Sequence, residues 1–360
     1  MANPNRKLAT IQEVISINPI EGADRIVVAK ILGWDVVVPK GQLEIGDKVV
    51  YFEIDSFLPV DKRWEFLEKT SKRKHRVTGE EGIRIKSIKL RGQISQGLVL
   101  PFDIFEELDE NLPVGTDVTN QLNVKIWEVP EIVGNLGRTK SKFHEVIQKT
   151  DEIRGQSDNK FLDALVGKPY YISEKVDGSS ITIVHEDGKN RIFTRNMEIL
   201  DGESSIWDFF RKKGIIEAFD NLENVDIAFQ GEIYGPGIQS NRLKVKETCF
   251  NFFNIVNPKT NERYNFKDWD NILIKTNLKG ILNPVKILEI GDNFNYTLNE
   301  LQEKSNGNYD NAGQREGIVI RPQYENELLK ELSEKDPKWK QESRFSFKVI
   351  NNKYLIKWDE

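Results

Sequence analysis

Short segments of β-branched and aromatic residues, separated by Gly, Pro and Asp, dominate the first hundred residues of this chain. Segments this short and this closely spaced are typical of strands in a small β-barrel or sandwich. They leave little room for long helices in this part of the chain. The six segments read IQEVISI, RIVVAKILG, WDVVVP, KVVYFEID, IRIKSIKL and GLVLP.

The length of the chain favours two domains. At 360 residues the sequence is long for a single hydrophobic core. A five-stranded Greek-key barrel of the oligonucleotide-binding (OB) type fits the length of the β-rich part. The stretch WEVPEIVGNLGRTKSKF is poorly periodic and contains Pro and Gly, as linkers often do. We therefore predict an OB-like domain over residues 1–125, a linker over 126–147 and a second domain over 148–360.

The second domain mixes both kinds of secondary structure, so the predicted fold class is α+β. Apolar residues recur at helical spacing in SSIWDFFRKKGIIEAF, LNELQEKS and ENELLKELSE. Between them lie runs rich in Ile, Val, Phe and Tyr, which predict strands. These predicted strands cover residues 169–173, 179–185, 190–194, 226–234, 249–255 and 315–321.

Composition excludes several classes of protein. No run of about 18 apolar residues occurs, and the start MANPNRKLATIQ has no apolar segment of the kind found in export signals. The sole cysteine, Cys249, cannot form an intramolecular disulfide, which fits a reducing, cytoplasmic compartment. His75, His144 and His185 are too scattered to predict a zinc site.

The net charge of −5 hides a basic stretch. From Lys72 to Arg91 the chain carries eight Lys or Arg residues and two Glu. Such a stretch is either a solvated surface or a contact for a phosphate backbone. The candidate phosphate contacts are Arg84, Lys86, Lys89 and Arg91.

Common nucleotide and hydrolase motifs are missing. The sequence has no GxxxxGK[ST] loop and no GxSxG turn, and GPGIQS is only part of a GxGxxG pattern. The sequence EKVDGSS is more informative. Alternate residues on a strand share a face, so Lys175 and Asp177 point the same way, and Gly178 allows a tight turn. Alone, this pattern also fits a surface ion pair at a hairpin.

Further residues follow this pattern in a definite order. Arg195 ends a predicted strand, Glu232 ends the apolar strand VDIAFQG, and Phe253 lies in the aromatic strand CFNFFNI. Glu316 precedes the run GIVIRP, and Lys348 lies in a final predicted strand. Each has a structural explanation by itself, but this series of residue types at strand ends is hard to obtain by chance.

The series resembles the nucleotidyl-transferase motifs of the ATP-dependent ligase and capping-enzyme superfamily. Within it, the chain is most similar to RNA ligases with an N-terminal OB module, a likeness that RKLATI, LRGQISQGLVLP and QKTDEIRG strengthen. DNA ligases and capping enzymes usually place such a module after the last motif. Because only 12 residues follow Lys348, we expect an RNA ligase. The resemblance implies an ATP-grasp-like ligase domain with antiparallel sheets and flanking helices.

The resemblance also implies roles for the residues, with ATP and Mg²⁺ or Mn²⁺ as cofactors. The lysine of the KxDG motif attacks the α-phosphorus of ATP, and it must be neutral to do so. Since an ordinary lysine has a pKa of about 10.4, we expect Lys348 and a divalent metal to lower that of Lys175. Implied catalytic residues are Lys175, Asp177, Glu232, Glu316 and Lys348; implied ATP-binding residues are Glu174, Gly178, Arg195, Phe253, Lys149 and Arg154; implied metal ligands, through waters, are Asp177, Glu232 and Glu316.

The predicted function is an ATP-dependent RNA ligase that joins 3′-OH and 5′-phosphate ends through lysyl-AMP and RNA-adenylate, in RNA repair. A nicked duplex is the expected substrate, and we expect a monomer without a protein partner. A DNA ligase, an mRNA capping guanylyltransferase and a non-catalytic RNA-binding protein are the alternatives. One departure from the family pattern concerns the last motif, where Val349 and Ile350 follow Lys348 instead of a second lysine. Lys353 or Lys357 could supply that charge.

Overall fold

A computed structural model describes residues 6–128, 133–310 and 313–358 of the chain. Contacts divide the chain into two compact units. The first comprises Met1–Pro130, Gly155–Asn159 and Asn352–Glu360, and the second comprises Glu131–Arg154 and Lys160–Asn351. Both units are discontinuous in sequence, whereas the sequence suggested continuous domains; the boundaries at 125 and 147 stay predictions.

The first unit consists mainly of strands, and the second contains most of the helices. The strands are β1 (Ala9–Glu13), β2 (Ser16–Ile20), β3 (Ala23–Ile31), β4 (Trp34–Pro39), β5 (Lys48–Phe52), β6 (Ser56–Pro59), β7 (Lys72–Lys74), β8 (Glu81–Arg84), β9 (Ser87–Leu90), β10 (Gln93–Gln96), β11 (Leu98–Pro101), β12 (Lys125–Ile126), β13 (Thr139–Lys140), β14 (Ile153–Arg154), β15 (Tyr170–Lys175), β16 (Ser179–Glu186), β17 (Lys189–Thr194), β18 (Glu198–Ile199), β19 (Ile227–Tyr234), β20 (Cys249–Val256), β21 (Asn283–Pro284), β22 (Ile287–Gly291), β23 (Gly317–Pro322) and β24 (Phe347–Ile350). The α-helices are α1 (Glu68–Ser71), α2 (Lys160–Leu165), α3 (Ser205–Lys212), α4 (Ile215–Asp220), α5 (Trp269–Lys275), α6 (Leu298–Ser305), α7 (Glu325–Lys335) and α8 (Asn352–Trp358). Short 3₁₀ helices lie at Lys62–Leu67, Phe102–Ile104, Phe266–Asp268 and Pro337–Gln341.

The strands of the first unit form small antiparallel sheets. Their orders are β1-β5-β11, β2-β3-β4, β12-β6-β8-β7 and β10-β9. The central strand β5 is apolar after its first residue and is buried over that length, so it packs into a core that includes Ile11, Trp64 and Phe105. The segment IRIKSIKL, which suggested one strand, forms parts of β8 and β9. After Ile85, whose amide donates to the Ser56 carbonyl, the chain passes from the sheet that contains β8 to the sheet that contains β9.

Two larger sheets organise the second unit. The seven-stranded sheet has the order β13-β18-β17-β16-β19-β20-β21, and the five-stranded sheet has the order β14-β24-β23-β15-β22. Consecutive strands β15 and β16 belong to different sheets. The turn 176–178 therefore carries the chain from one sheet to the other, and it contains the last part of the KxDG pattern.

Gly178 is needed in this turn for a different reason from the expected one. Its φ is not in the left-handed region. A Cβ at this position would lie 2.3 Å from the carbonyl oxygen of Ile233 on β19. Close approach of the turn to β19 thus requires the glycine.

The predicted helix over SSIWDFFRKKGIIEAF forms two helices. Ser204 caps α3, since its side chain accepts a hydrogen bond from the Ile206 amide. Gly214 has a φ of 73°, a conformation that ends α3 and starts α4. The amphipathic segments LNELQEKS and ENELLKELSE form α6 and α7. Among the described residues, no helix has the length and apolar character needed to cross a bilayer.

Candidate active site

Lys175 lies at the end of β15, directly opposite Gly317 of β23. Its Nζ donates a hydrogen bond to Glu316 Oε2 at 2.7 Å, and both side chains are about one-fifth exposed. Glu316 immediately precedes β23, and the Asn351 amide donates to its carbonyl oxygen. The pairing of two neighbouring strands therefore fixes the ammonium group and this carboxylate against each other.

A cavity of about 280 Å³ opens around this pair within the second unit. Strands of both sheets contribute to it, because the turn 176–178 connects them. Thr150, Asp151, Glu152 and Arg321 are among its walls. It also brings together many of the residues that the sequence singled out: Glu174, Lys175, Gly178, Arg195, Glu232, Phe253, Glu316 and Lys348.

The protein groups around Lys175 favour its charged form. Burial alone would lower the pKa of Lys175, but the negative charges of Glu316 and Glu232 outweigh burial and raise the pKa above its ordinary value. Burial likewise raises the pKa of Glu316, against the opposing effect of Lys175. We expected Lys348 to help lower the pKa of Lys175, but the surrounding protein groups together raise that pKa. Neutralisation requires cations that offset the two carboxylates.

The carboxylates suit a hard divalent cation, which prefers oxygen ligands and retains several waters. Glu232 lies on β19 opposite Ser180, and Glu316 faces Lys175. Asp177, the third predicted ligand, is not among the residues that line the cavity. Within residues 6–128, 133–310 and 313–358, no three His, Cys, Asp or Glu side chains form a ready-made metal site. A metal here would be held by one or two carboxylates, with waters or phosphate oxygens completing its ligands.

Asp177 is instead bound by an arginine that the sequence did not point to. Its Oδ2 lies 3.2 Å from Nη1 of Arg242, and both side chains are mostly buried. Arg242 belongs to the loop between β19 and β20. A second contact joins the same regions, since Gln239 Nε2 donates to the Ser179 hydroxyl at 3.1 Å.

Tyr309 is a second residue that the sequence did not single out. Its hydroxyl donates to the Lys175 carbonyl at 2.9 Å and accepts from the backbone amides of Asp177 and Glu316, both at 3.1 Å. Burial and the charge of Glu316 raise the pKa of this hydroxyl, so it keeps the proton that it donates. One side chain thus holds the two chain segments that carry Lys175 and Glu316.

A buried ionic network forms part of the cavity wall beside Phe253. Arg321 is 2% exposed. Its Nη2 is 2.8 Å from Glu152 Oε1 and its Cζ lies 5.5 Å from the centre of the Phe253 ring. Arg344 binds the same oxygen of Glu152 at 2.5 Å. Burial alone would raise the pKa of Glu152, but Arg344, Arg321 and Lys348 hold it at about 2.

Two further predicted ATP-binding residues line the cavity with different partners. Burial raises the pKa of Glu174, and Arg315, with Nη1 3.9 Å from Glu174 Oε1, offsets this only in part. In the described part of the chain, no hydrogen-bond donor reaches that oxygen. Arg195 is held by Asp151, with Nη2 2.7 Å from Oδ1.

The remaining predicted residues are not among those that line the cavity. Lys149 donates to Asn196 Oδ1 at 2.6 Å. Arg154 lies on β14, opposite Lys348 of the parallel strand β24. Lys353 and Lys357 lie on α8, which belongs to the first unit.

The basic stretch of the first unit divides by exposure. Lys89 and Arg91 are exposed, and Lys86 is half-buried. Arg84 differs from the expectation of a surface phosphate contact. It is 7% exposed, and its guanidinium lies 5.1 Å from the centre of the Trp127 ring. Because Arg84 is on a buried face of β8, its position favours packing over contact with a polymer.

Comparison with known proteins identifies the family. A family profile described as RNA ligase matches residues 168–350, which contain strands β15 to β24 and all residues that line the cavity except Thr150, Asp151 and Glu152. The chain belongs to the RNA ligase family. A second profile, described as an OB-fold domain, matches residues 8–102. A search of curated proteins found no match.

Solved RNA ligases have the same fold over nearly the whole chain. A Naegleria gruberi RNA ligase mutant with AMP and Mn is 33% identical, with a TM-score of 0.84 over 97% of this chain and 98% of that chain. A mutant of that ligase with ATP and Mn is 32% identical, with a TM-score of 0.85 over 97% and 98%. The same ligase with pyrophosphate (PPi) is 34% identical, with a TM-score of 0.84 over 98% and 99%. The predicted α+β fold, with an N-terminal OB domain and a C-terminal domain of antiparallel sheets and helices, is confirmed.

Proposed function

We propose that this RNA ligase uses ATP to join a 3′-OH and a 5′-phosphate RNA end, with Lys175 as the nucleophile. The observation that carries the proposal is the position of Lys175 in the cavity. Its amine faces Glu316 and Glu232, while Lys348 and Arg195 line the same space. A nucleophile, oxygen ligands for a cation and positive charge for phosphates are thus combined.

In the first step, the neutral amine of Lys175 attacks the α-phosphorus of ATP. A nitrogen–phosphorus bond forms, the bond from the α-phosphorus to the bridging oxygen of the β-phosphate breaks, and pyrophosphate leaves. The ammonium proton must leave before the attack, and Glu316, hydrogen-bonded to Nζ, is placed to accept it. Lys348 and Arg195 offset the negative charge that builds on the phosphate oxygens.

The residues that line the cavity fit ATP and a divalent metal in their chemistry. Mg²⁺ or Mn²⁺, bound by Glu232 and Glu316, would supply positive charge at the phosphates and lower the pKa of Lys175. Phe253 offers a ring on which adenine can stack. Glu174 Oε1, buried and without a donor among the described residues, can accept the adenine amino group. The Naegleria gruberi ligase structures with ATP, AMP and Mn support this assignment.

In the second step, an oxygen of the RNA 5′-phosphate attacks the phosphorus of lysyl-AMP. The nitrogen–phosphorus bond breaks, Lys175 recovers its amine, and the RNA gains a 5′–5′ pyrophosphate end. In the third step, the 3′-OH attacks the RNA 5′-phosphorus, loses its proton and releases AMP. A site that holds phosphates among Arg195, Lys348 and a metal serves all three displacements.

We also propose the substrate and the role of the enzyme. The substrate is a nicked RNA duplex, and the role is RNA repair in the cytoplasm. The protein acts as a monomer. The OB unit, with Lys86, Lys89 and Arg91, would hold the RNA. Asp177, Lys149 and Arg154 are kept as proposed contacts for the nucleotide or the RNA end.

Mass spectrometry of the intact protein tests the nucleophile. Incubation with ATP and Mn²⁺ should add roughly 329 Da, the mass of an adenylate joined to an amine. Lys175→Ala should show no adduct, and Lys168→Ala, a matched surface lysine, should behave as wild type. An adduct that survives in Lys175→Ala would show that another residue is the nucleophile.

Sealing assays then separate this proposal from its alternatives. Nicked duplexes with RNA or DNA on each side of the break should be joined best when the 3′-OH strand is RNA. Equal sealing of all-DNA nicks would favour a DNA ligase, and an adduct formed from GTP but not ATP would favour a capping enzyme.

A further inference from the structure

The loop between β19 and β20 covers one wall of the cavity from outside. Leu243 is buried in a small apolar cluster with Val176 and Val285, and Phe253 packs against that cluster. Val176, Val285 and Phe253 line the cavity. Residues 241–246, here called the 241–246 segment, therefore form the outer layer of the wall beside the nucleophile.

The 241–246 segment is fastened to the KxDG turn. Arg242 binds Asp177, and Leu243 packs with Val176, the residue next to Lys175. Within the segment, Asn241 Nδ2 donates to the Val245 carbonyl at 3.0 Å. These contacts fix the backbone of the segment close to the end of β15.

Two lysines of the segment project from it into solvent. Lys244 and Lys246 are exposed, whereas Leu243 and Val245 between and beside them pack inward. In the part of the chain that the structure describes, neither lysine has an ion-pair partner, whereas most neighbouring basic side chains of the cavity do. The outer wall of the cavity thus presents two positive charges that the protein does not neutralise.

The backbone at Lys244 has a conformation that is uncommon for a residue with a side chain. Its φ is 53°, in the left-handed region where a glycine would be less strained than any residue with a Cβ. Gln239 and Asn241 of the same loop also have positive φ values, 44° and 41°. Lys244 can therefore be replaced by glycine without adding backbone strain, so the substitution removes the charge and keeps the loop conformation.

We propose that Lys244 and Lys246 bind backbone phosphates of the RNA whose ends are joined in the cavity. The inference rests on the proposed function and deepens it, because it assigns a surface that contacts the substrate. RNA carries the regularly spaced negative charges that two adjacent exposed lysines fit, and release of its counterions favours binding. The two lysines belong to the second unit, whereas the basic stretch belongs to the first.

Lys244→Gly and Lys246→Gln, singly and together, test the proposal. Lys244→Gly removes the charge and relieves the backbone, so the melting temperature should be unchanged or higher. Binding of a nicked RNA duplex, measured without ATP, should weaken roughly tenfold for each lost contact at about 0.1 M salt. The slope of log K against log salt should fall by about 0.7 to 0.9 for each substitution. Adenylate formation on Lys175 should stay at the wild-type rate.

Lys212→Gln and Lys275→Gln are matched controls on α3 and α5, helices that contribute no residue to the cavity. They should leave RNA binding unchanged. The proposal is wrong if RNA binding survives in the double variant, or if the controls weaken it equally. It is also wrong if adenylate formation falls in parallel with RNA binding, since the lysines would then contact ATP. Because RNA binding is measured without catalysis, a wild-type protein that forms no adduct would overturn the proposed function and leave this test intact.

Discussion

Lys175 and Lys348 lie on strands, whereas Tyr309 and Arg242 lie on the connections between strands. The strand residues face the cavity with the groups that can react with or bind phosphates. Tyr309 and Arg242 are not among the residues that line the cavity. Tyr309 binds the backbone of Lys175, and Arg242 binds the side chain of Asp177 in the turn that follows it. The comparison separates two demands on the site. The register of paired strands determines which reactive groups lie next to one another. Side chains from the loops then hold the segments at the strand ends, which strand pairing does not fix.

The two groups should respond differently to substitution. Loss of a strand residue should remove a step of the reaction and leave the fold intact. Loss of a loop residue should lower the free energy of unfolding and slow the reaction by a smaller factor. Three predictions concern this difference, and a fourth compares exposed with buried basic residues of the first unit; they run from the largest expected effect to the smallest.

The largest effect is expected for Lys348→Ala on β24. Its amine is placed to offset the charge on the α-phosphate, and removal of one such group typically lowers a rate by about 10²–10³-fold. The time course of the adenylate adduct by mass spectrometry measures this, with the melting temperature as a check on folding. Lys160→Ala, a partly buried lysine paired with Glu342 outside the cavity, is the control. A rate within threefold of wild type would remove Lys348 from the proposed mechanism.

Glu152→Gln tests the buried network beside Phe253. The pKa of Glu152 is about 2, below the ordinary value of 4.5, so its ionised form stabilises the fold. That contribution is complete above about pH 4.5 and is lost as the pH falls toward 2. At neutral pH the substitution should lower the free energy of unfolding by about 3 kcal/mol, because it leaves Arg321 and Arg344 buried without a counter-charge.

Urea unfolding at several pH values measures this effect. The difference between Glu152→Gln and wild type should narrow below pH 4. Glu331→Gln is a control, since Glu331 also has a pKa of about 2 but pairs with Lys168 and Lys335 at the surface. There the loss should be at most about 1 kcal/mol. Equal differences at pH 3 and pH 7 would show that the Glu152 carboxylate does not carry the stabilisation.

Tyr309→Phe removes one oxygen and leaves the ring in its apolar cluster. The amides of Asp177 and Glu316 and the carbonyl of Lys175 would lose their shared partner, which costs about 1–3 kcal/mol of stability. Adenylate formation should slow by about tenfold, with a smaller change in the KM for ATP, since a small displacement of the reacting groups is enough to slow a positioned reaction. Tyr264→Phe, at a partly exposed tyrosine, should change neither quantity. Loss of stability with an unchanged rate would make Tyr309 purely structural.

The strand residues of the site were predictable from the sequence, and the loop residues were not. Lys175, Glu232 and Lys348 occupy the ends or interiors of apolar runs, where the two-residue period of a strand gives each side chain a direction. Tyr309 and Arg242 lie in NGNYDN and QSNRLK, which have no period, so nothing local indicates where their side chains point. Their partners are also distant in sequence, as the separation of 132 positions from Asp177 to Tyr309 shows.

For the fold, the positions of several strands were predictable from the sequence, and their arrangement in sheets was not. The runs around β15, β16, β19 and β20 indicated strands within one or two residues of their observed ends. Their order in two sheets depends on long-range pairing, which no local pattern encodes. Burial was the other property that the sequence did not reveal. Arg84 shares a basic stretch with Lys89, but only the structure shows that its guanidinium lies on Trp127.

That last difference gives the smallest predicted effect. Lys89→Glu and Arg91→Glu should weaken binding of a nicked RNA duplex and lower its salt slope by about 0.7 to 0.9 for each residue, without slowing adenylate formation. Arg84→Gln should instead lower the melting temperature and leave the salt slope unchanged, because the charge is buried. Lys40→Glu, an exposed lysine of the same unit outside the stretch, is the control for a general effect of charge. If Arg84→Gln changed the salt slope as much as Lys89→Glu, Arg84 would have to contact RNA. Side-chain exposure would then not explain which basic residues bind RNA.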